Sequence, residues 1–236
     1  MKNRKIQILS NLTIISMLIF LFVLSFPLDS ISVAKINPNV IYHGDTSTKK
    51  VSLMINVYWG TEYLEDMLNV FDEYNAKTTF FIGGCWASKN IELLKNIVDR
   101  GHELGNHGYN HKDHDKISAE LNEKEIDMTH KLVLNNIGYS MCLFAPPSGA
   151  YNNATVDIAT SLGYKTIMWT RDTIDWRDKS ASLVYNRAVK NITGGDLVLM
   201  HPTEHTLTAL PNILSYLKNN NFEATTVSDS IQLQNQ

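Results

Sequence analysis

From Val51 onward the chain alternates short apolar, β-branched runs with stretches whose apolar residues recur every three or four positions. That alternation admits few folds. Strands followed one by one by helices build a parallel sheet wrapped by helices, because a parallel pair needs a long crossover and a helix supplies it. Residues 51–57, 78–82, 103–104, 142–145, 165–170, 197–200 and 224–227 read as strands. Leu64, Met67, Leu68 and Phe71, and likewise Val184, Ala188 and Ile192, fall on one side of a helix and are predicted core. Seven or so such strands suit an open doubly wound sheet or a closed, irregular barrel, and periodicity does not choose between them.

With 236 residues, 44% of them hydrophobic, the chain can bury one good-sized core. Its formal net charge of -3 leaves no basic surplus for nucleic acid, which is set aside as a partner. Cys85 and Cys142 are the only cysteines and are expected to be buried free thiols. At the N-terminus, Lys2, Arg4 and Lys5 precede an apolar run over 12–28, the order of an export signal. Ser32-Val33-Ala34 offers a small-x-small cleavage pattern, while the run is also just long enough for a membrane anchor. Both outcomes export the chain, to the outer face of the cytoplasmic membrane, the wall or the medium; only the uncleaved one ties it to the membrane. The expected organisation is a signal or anchor over 1–34, a linker over 35–49 and one domain over 50–236.

In parallel α/β folds, reactive side chains gather beyond the carboxyl ends of strands. After the third predicted strand stand His107 and His111, which can converge on one cation if the segment makes a helical turn; Asp113 and His114 follow closely. After the fourth comes the rigid turn Pro146-Pro147-Ser148-Gly149, with Asn152 or Asn153 ready to cap a helix. The fifth runs into Asp172-Thr173-Ile174-Asp175-Trp176, and the sixth ends in His201, an acid or base that a neighbouring carboxylate can tune.

In order and position these segments resemble the polysaccharide deacetylases, also called the NodB-homology family or carbohydrate esterase family 4. His107 and His111 match the metal-binding His-[Ser/Thr]-x-x-His motif, and Pro146 to Gly149 match Arg-Pro-Pro-x-Gly. Asp172 to Trp176 match Asp-x-x-Asp-Trp, and Leu199-Met200-His201 match Leu-x-His. The resemblance implies a distorted (β/α) barrel of about seven parallel strands. It implies removal of N-acetyl groups from a glycan, with a divalent metal, zinc above all, held by one Asp and two His. It assigns His201 as the acid and Asp175 as its tuning partner, and has Trp176 and Leu199 line the acetyl pocket. Pro147, Tyr58 and Trp59 complete the expected substrate-binding set.

The first motif departs from the pattern. The family reads Thr-Phe-Asp-Asp-Gly where this chain reads Met54-Ile55-Asn56-Val57-Tyr58. Asn56 holds the base position without a carboxylate, Val57 holds the metal-ligand position, and Ala145 stands where the motif-three Arg should be. Three routes around the loss are open: His201 serves as base as well as acid, Asn56 offers its carbonyl oxygen to a metal, or Asp113 or His114 replaces the missing ligand. The Asn-Val-x-Trp-Gly form resembles a sporulation-associated subgroup, which implies peptidoglycan as the glycan. Two functions follow as expectations: a metal-dependent deacetylase of cell-wall glycan, and a glycan-binding pseudoenzyme that keeps the cleft without its chemistry.

Overall fold

The computed structural model describes residues 2–24 and 37–233. They fall into two compact units, 1–37 and 38–236. In the first, α1 (Lys2–Leu24) opens with its basic residues and turns apolar from Leu12. Among the described residues no helix is long and apolar enough to cross a membrane. The rest of the expected apolar run and the Ser32-Val33-Ala34 pattern lie outside the described residues.

The second unit is a sheet of parallel strands, curled into a half-barrel and covered by helices. Its strands are β1 (Val40–Ile41), β2 (Lys50–Val57), β3 (Thr79–Ile82), β4 (Glu103–Asn106), β5 (Leu143–Phe144), β6 (Lys165–Ile167), β7 (Arg171–Asp172), β8 (Leu197–Met200) and β9 (Glu223–Ala224). They lie in the order β1-β6-β5-β4-β3-β2-β8-β7, with β9 beside the start of β2. The helices are α2 (Thr61–Glu73), α3 (Gly84–Ala87), α4 (Ile91–Asp99), α5 (Ala119–Ile137), α6 (Asn153–Ser161), α7 (Ala181–Val189), α8 (Glu204–Asn219) and α9 (Val227–Ser230). This is the distorted barrel that the family resemblance implied.

The period-two pleat of β2 divides the core. Val51, Leu53, Ile55 and Val57 pack with Leu64, Met67, Leu68 and Phe71 of α2 in the layer between sheet and helices. Met54, on the opposite face, meets Phe81, Leu143, Ile167 and Leu197 inside the curl. Burying a side chain of this kind contributes about 1.5–3 kcal/mol, so the two faces of one strand hold both layers together. Asn152 caps α6 with a full capping box, as its position after the Pro-Pro turn led one to expect.

Three expectations need correction. The stretch expected as a linker, 35–49, belongs from Pro38 onward to the second unit: β1 pairs with β6, and the Gly44 amide donates to the Gly195 carbonyl at 2.7 Å. The predicted last strand over 224–227 is cut to Glu223–Ala224, because the Thr226 side chain accepts from the Asp229 amide and starts α9. The cysteines are free, but Cys142 is exposed and Cys85 half-buried, so they are not two core thiols.

Candidate active site

Register brings the reactive strand ends to one level. Ile55 of β2 pairs with Met200 of β8, Val57 with Ile82 of β3, Ile82 with Asn106 of β4, and Asn106 with Phe144 of β5. The residues just beyond these pairs include Tyr58, His107, Ala145 and His201, and they ring the mouth of the curl. A cleft of about 460 Å³ opens there, walled by Asn56, Tyr58, Trp59, His107, His111, Ser148, Gly149, Trp169, Asp172, Trp176, Leu199 and His201. No lysine or arginine is among them.

The best-organised part of the cleft is the pair His201 and Asp175. Asp175 is fully buried and accepts three hydrogen bonds: from the His201 amide at 2.6 Å, from His201 Nδ1 at 2.7 Å and from the Thr206 hydroxyl at 2.6 Å. Burial pushes its carboxyl up, but the bonds from His201 and Thr206 outweigh burial and hold it below the ordinary carboxylate value. A carboxylate only accepts, so Nδ1 carries the ring proton and Nε2 is left with the lone pair, on the ring edge away from Asp175. The Trp59 ring stacks on the imidazole at 5.8 Å between centroids and 8° between planes. Trp59 can lie there because the chain turns at Gly60 with φ 78°, where a side chain would collide with the Pro202 carbonyl oxygen.

Local backbone geometry delivers Asp175. Ile174 adopts φ 52°, a costly conformation for a β-branched residue. The turn is pinned by the Ile174 amide on Asp172 Oδ1 at 2.8 Å and by the Thr173 hydroxyl on the Leu199 carbonyl at 2.9 Å. On its far side Asp175 points inward beneath His201 while Trp176 stands 56% exposed at the rim.

His107 and His111 meet with ring centroids 5.1 Å apart. The segment between them is a loop, not a helical turn, with His111 at φ 55°. His107 Nδ1 donates to the Ala145 carbonyl at 2.7 Å, which leaves Nε2 as the acceptor. Burial, with help from the neighbouring His111, lowers His107 to about 3, so it is neutral at physiological pH. Burial lowers His111 too. The loop hangs on a residue that the sequence did not single out: buried Glu125 of α5 accepts the Tyr109 amide at 2.9 Å, the Asn110 amide at 2.6 Å and the Asn110 side chain at 2.8 Å.

Two of the three expected third ligands are elsewhere. Asp113 turns out to Lys116 at 2.7 Å. His114 is fully buried, bonded through Nδ1 to Asn122 and packed on Phe144. Val57 faces the helical layer. Asn56 does line the cleft, and its Oδ1 is a buried acceptor with no partner among the described residues. Two imidazoles and one neutral amide oxygen fall short of the three strong ligands of a catalytic zinc site, and among the described residues no three His, Cys, Asp or Glu side chains gather to hold an ion. The donor set does not fit the implied metal.

Of the other expected site residues, Tyr58, Trp59, Trp176 and Leu199 line the cleft, whereas Pro147 is buried and leaves that place to Ser148 and Gly149. Trp169 is a wall residue that the sequence reading passed over. It follows β6, and its signal was only its place at a strand end.

Residues 43–167 match the family model described as polysaccharide deacetylase. The chain is 38% identical over 200 residues to the uncharacterized protein YlxY of Bacillus subtilis, across 85% of this chain and 63% of that one. It is 33% identical over 176 residues to a peptidoglycan-N-acetylglucosamine deacetylase of Bacillus cereus, across 72% of this chain and 82% of that one. Among solved structures, BA3943 of Bacillus anthracis, described as a CE4 family pseudoenzyme, superposes with a TM-score of 0.80 at 35% identity over 83% of this chain and 70% of that one. A BA3943 mutant described as having restored enzymatic activity also superposes with a TM-score of 0.80, at 33% identity over 83% of this chain and 72% of that one.

Proposed function

The chain belongs to the polysaccharide deacetylase family, and we propose that it acts on cell-wall glycan of the peptidoglycan type as a deacetylase-like protein, with His201 as its proton-transfer residue. The observation that carries this reading is the buried Asp175 beneath His201. With Nδ1 tied down, the Nε2 lone pair can take a proton from an attacking water and return it to the leaving amine, so one residue serves as base and then acid. Trp176 and Leu199 supply the apolar wall for the acetyl methyl. Only one half of the usual machinery is present. Loss of a separate base costs about 10²–10⁴ in rate. Hydrolysis of the N-acetyl C–N bond is therefore slow.

A second reading, a glycan binder without turnover, is favoured by Asn56, by Ala145 and by a ligand position that Val57 has closed into the core. The likeness to a pseudoenzyme supports it as well. Acetate release from peptidoglycan and from N-acetylated chitooligosaccharides, with and without added zinc, separates the two. Release abolished by His201→Ala establishes the enzyme and rejects the binder. No release under any metal, with binding retained, rejects the enzyme.

The basic start and apolar continuation of the N-terminus support export to the outer face of the cytoplasmic membrane or beyond, and the altered first motif supports a role in sporulation. Fractionation of the native protein tests the first. Expression timed against spore formation tests the second.

A further inference from the structure

A cleft whose donor set does not fit the implied metal still has a definite balance of charge and hydrogen bonding. At His107 and at His201 the fold spends Nδ1 as a donor, on the Ala145 carbonyl and on Asp175. The nitrogen left over on each ring is therefore an acceptor. The two rings are near enough for a charge on His201 to be felt at His107, yet burial keeps His107 neutral and lowers His111 as well. Asn56 Oδ1 is a further acceptor that no donor among the described residues satisfies. The carboxylate of Asp172 is the one acidic or basic side chain, imidazoles aside, among the lining residues; one of its oxygens already holds the Ile174 amide. The donors that remain on the wall, which are hydroxyls, indole N–H groups, the Asn56 amide and His111, are all neutral.

Aromatic rings supply much of the rest. Tyr58, Trp59, Trp169 and Trp176 line the cleft, and Trp59 and Trp176 are 44% and 56% exposed. The face of such a ring is negative and attracts cations. Trp176 already does so on the outside, where the Arg177 guanidinium lies 6.0 Å from its ring centre. That guanidinium is engaged by Asp178, through Nε at 2.8 Å and Nη2 at 3.0 Å, and Arg177 is not part of the cleft wall.

Lone-pair nitrogens, one carboxylate and exposed ring faces, with no fixed positive charge, suit a compact cation carrying several N–H donors. A primary ammonium is that group, with three donors on one centre. An N-acetyl group offers a single N–H and brings a carbonyl oxygen, which the lone pairs repel. We propose that the cleft is a receptor for a primary ammonium group and that its ligand is an amino sugar whose acetyl group has already been removed: the ammonium donates to the free nitrogens of His107 and His201, and Asp172 and the ring faces answer its charge. This rests on reading the cleft as a site for a cell-wall sugar and goes beyond it in the state of the sugar nitrogen, an amine in place of an amide. A separate N-deacetylation must then supply the ligand.

Calorimetric titration of the full chain with a glucosamine trimer and with its N-acetylated counterpart, both in the presence of a chelator, tests it. The free-amine trimer should bind about tenfold tighter or more, as expected for charge-assisted hydrogen bonds gained. Asp172→Asn, whose amide oxygen can still hold the Ile174 amide, should bring the ratio of the two affinities close to one. A measurement on the unaltered protein guards against a variant that fails to fold: raising the salt from ~0.01 M to ~1 M, which shortens the screening length from about 30 to about 3 Å, should shrink the same ratio. Equal affinity for the two trimers, or a preference for the acetylated one, overturns the ammonium receptor and leaves the sugar reading intact. Amine binding that appears only when zinc replaces the chelator also overturns it. Butylammonium displacing the amine trimer at matched concentration, with no binding of the acetylated trimer, sustains the ammonium receptor and sinks the sugar reading. No binding of either trimer overturns both.

Discussion

Replacement of Asp175 separates the structural from the chemical role of the buried carboxylate. Its oxygens satisfy three donors: the His201 amide, His201 Nδ1 and the Thr206 hydroxyl, all within 2.7 Å. In Asp175→Ala all three lose their acceptor in a site with no exposure at Asp175. A hydrogen bond to a charged group contributes about 1.5–3 kcal/mol and a stranded buried donor costs a similar amount. Allowing for relaxation and for His201 remaining partly solvated, a loss of about 3–5 kcal/mol is expected from the three stranded donors together. Asp175→Asn keeps the shape. Its carbonyl oxygen can retain the amide and Thr206 bonds now made by Oδ2, but its NH₂ then faces Nδ1, and a donor cannot face a donor. His201 must shift its ring proton to Nε2, so Asp175→Asn should cost only about 1–3 kcal/mol and yet remove the lone pair on which proton transfer depends. Urea unfolding at unchanged m gives the energies, and ¹⁵N chemical shifts of the His201 ring report the tautomer. A wild-type ring protonated on Nε2 rather than Nδ1, or a cost below about 1 kcal/mol for Asp175→Ala, would refute the reasoning.

Other consequences follow from groups around the site. Glu125→Ala strands two backbone amides of the 107–111 loop, so a loss of about 2–4 kcal/mol with faster proteolytic nicking near Asn110 is expected; unchanged nicking would mean that the loop does not depend on Glu125. Val57→Asp puts a carboxyl into the sheet–helix core and should cost about 3–5 kcal/mol; a neutral substitution would show that the position faces the cleft after all. His102 is buried against Phe71 and Phe80, and burial lowers it to about 4 from 6.5. Because the unfolded chain then binds the extra proton first, its contribution is complete above pH 6.5 and is lost as pH falls toward 4, about 2 kcal/mol between pH 7.5 and 5. Denaturant titrations at the two pH values should show a drop that is smaller by that amount in His102→Gln.

Much of the fold was legible in the residues, for a reason that its exceptions make plain. β2, β3 and β8 are apolar or β-branched enough to declare themselves, and the stripes of α2 and α7 point to the core at helical spacing. The two-residue strands β1 and β7 are too short to carry a period of two; they exist because β6 and β8 offer an open edge. Proximity in sequence to a strand end also located His107, His111, Asp175 and His201 at the right end of the sheet.

The sequence by itself determined which chemical groups were available: an imidazole and a carboxylate on adjacent strand ends, a histidine pair, and a first motif without its two carboxylates. Tertiary structure decided where each side chain points. The pleat sends Asn56 toward the cleft and Val57 into the helical layer. Left-handed turns at Ile174 and His111 aim Asp175 inward and carry Asp113 out to Lys116. The walls of the cleft come together from residues as far apart as Asn56 and His201. The identity of a residue limits what it can donate, accept or coordinate, while the direction in which it does so is set by backbone dihedrals and by neighbours distant in the chain, and spacing along the sequence encodes neither.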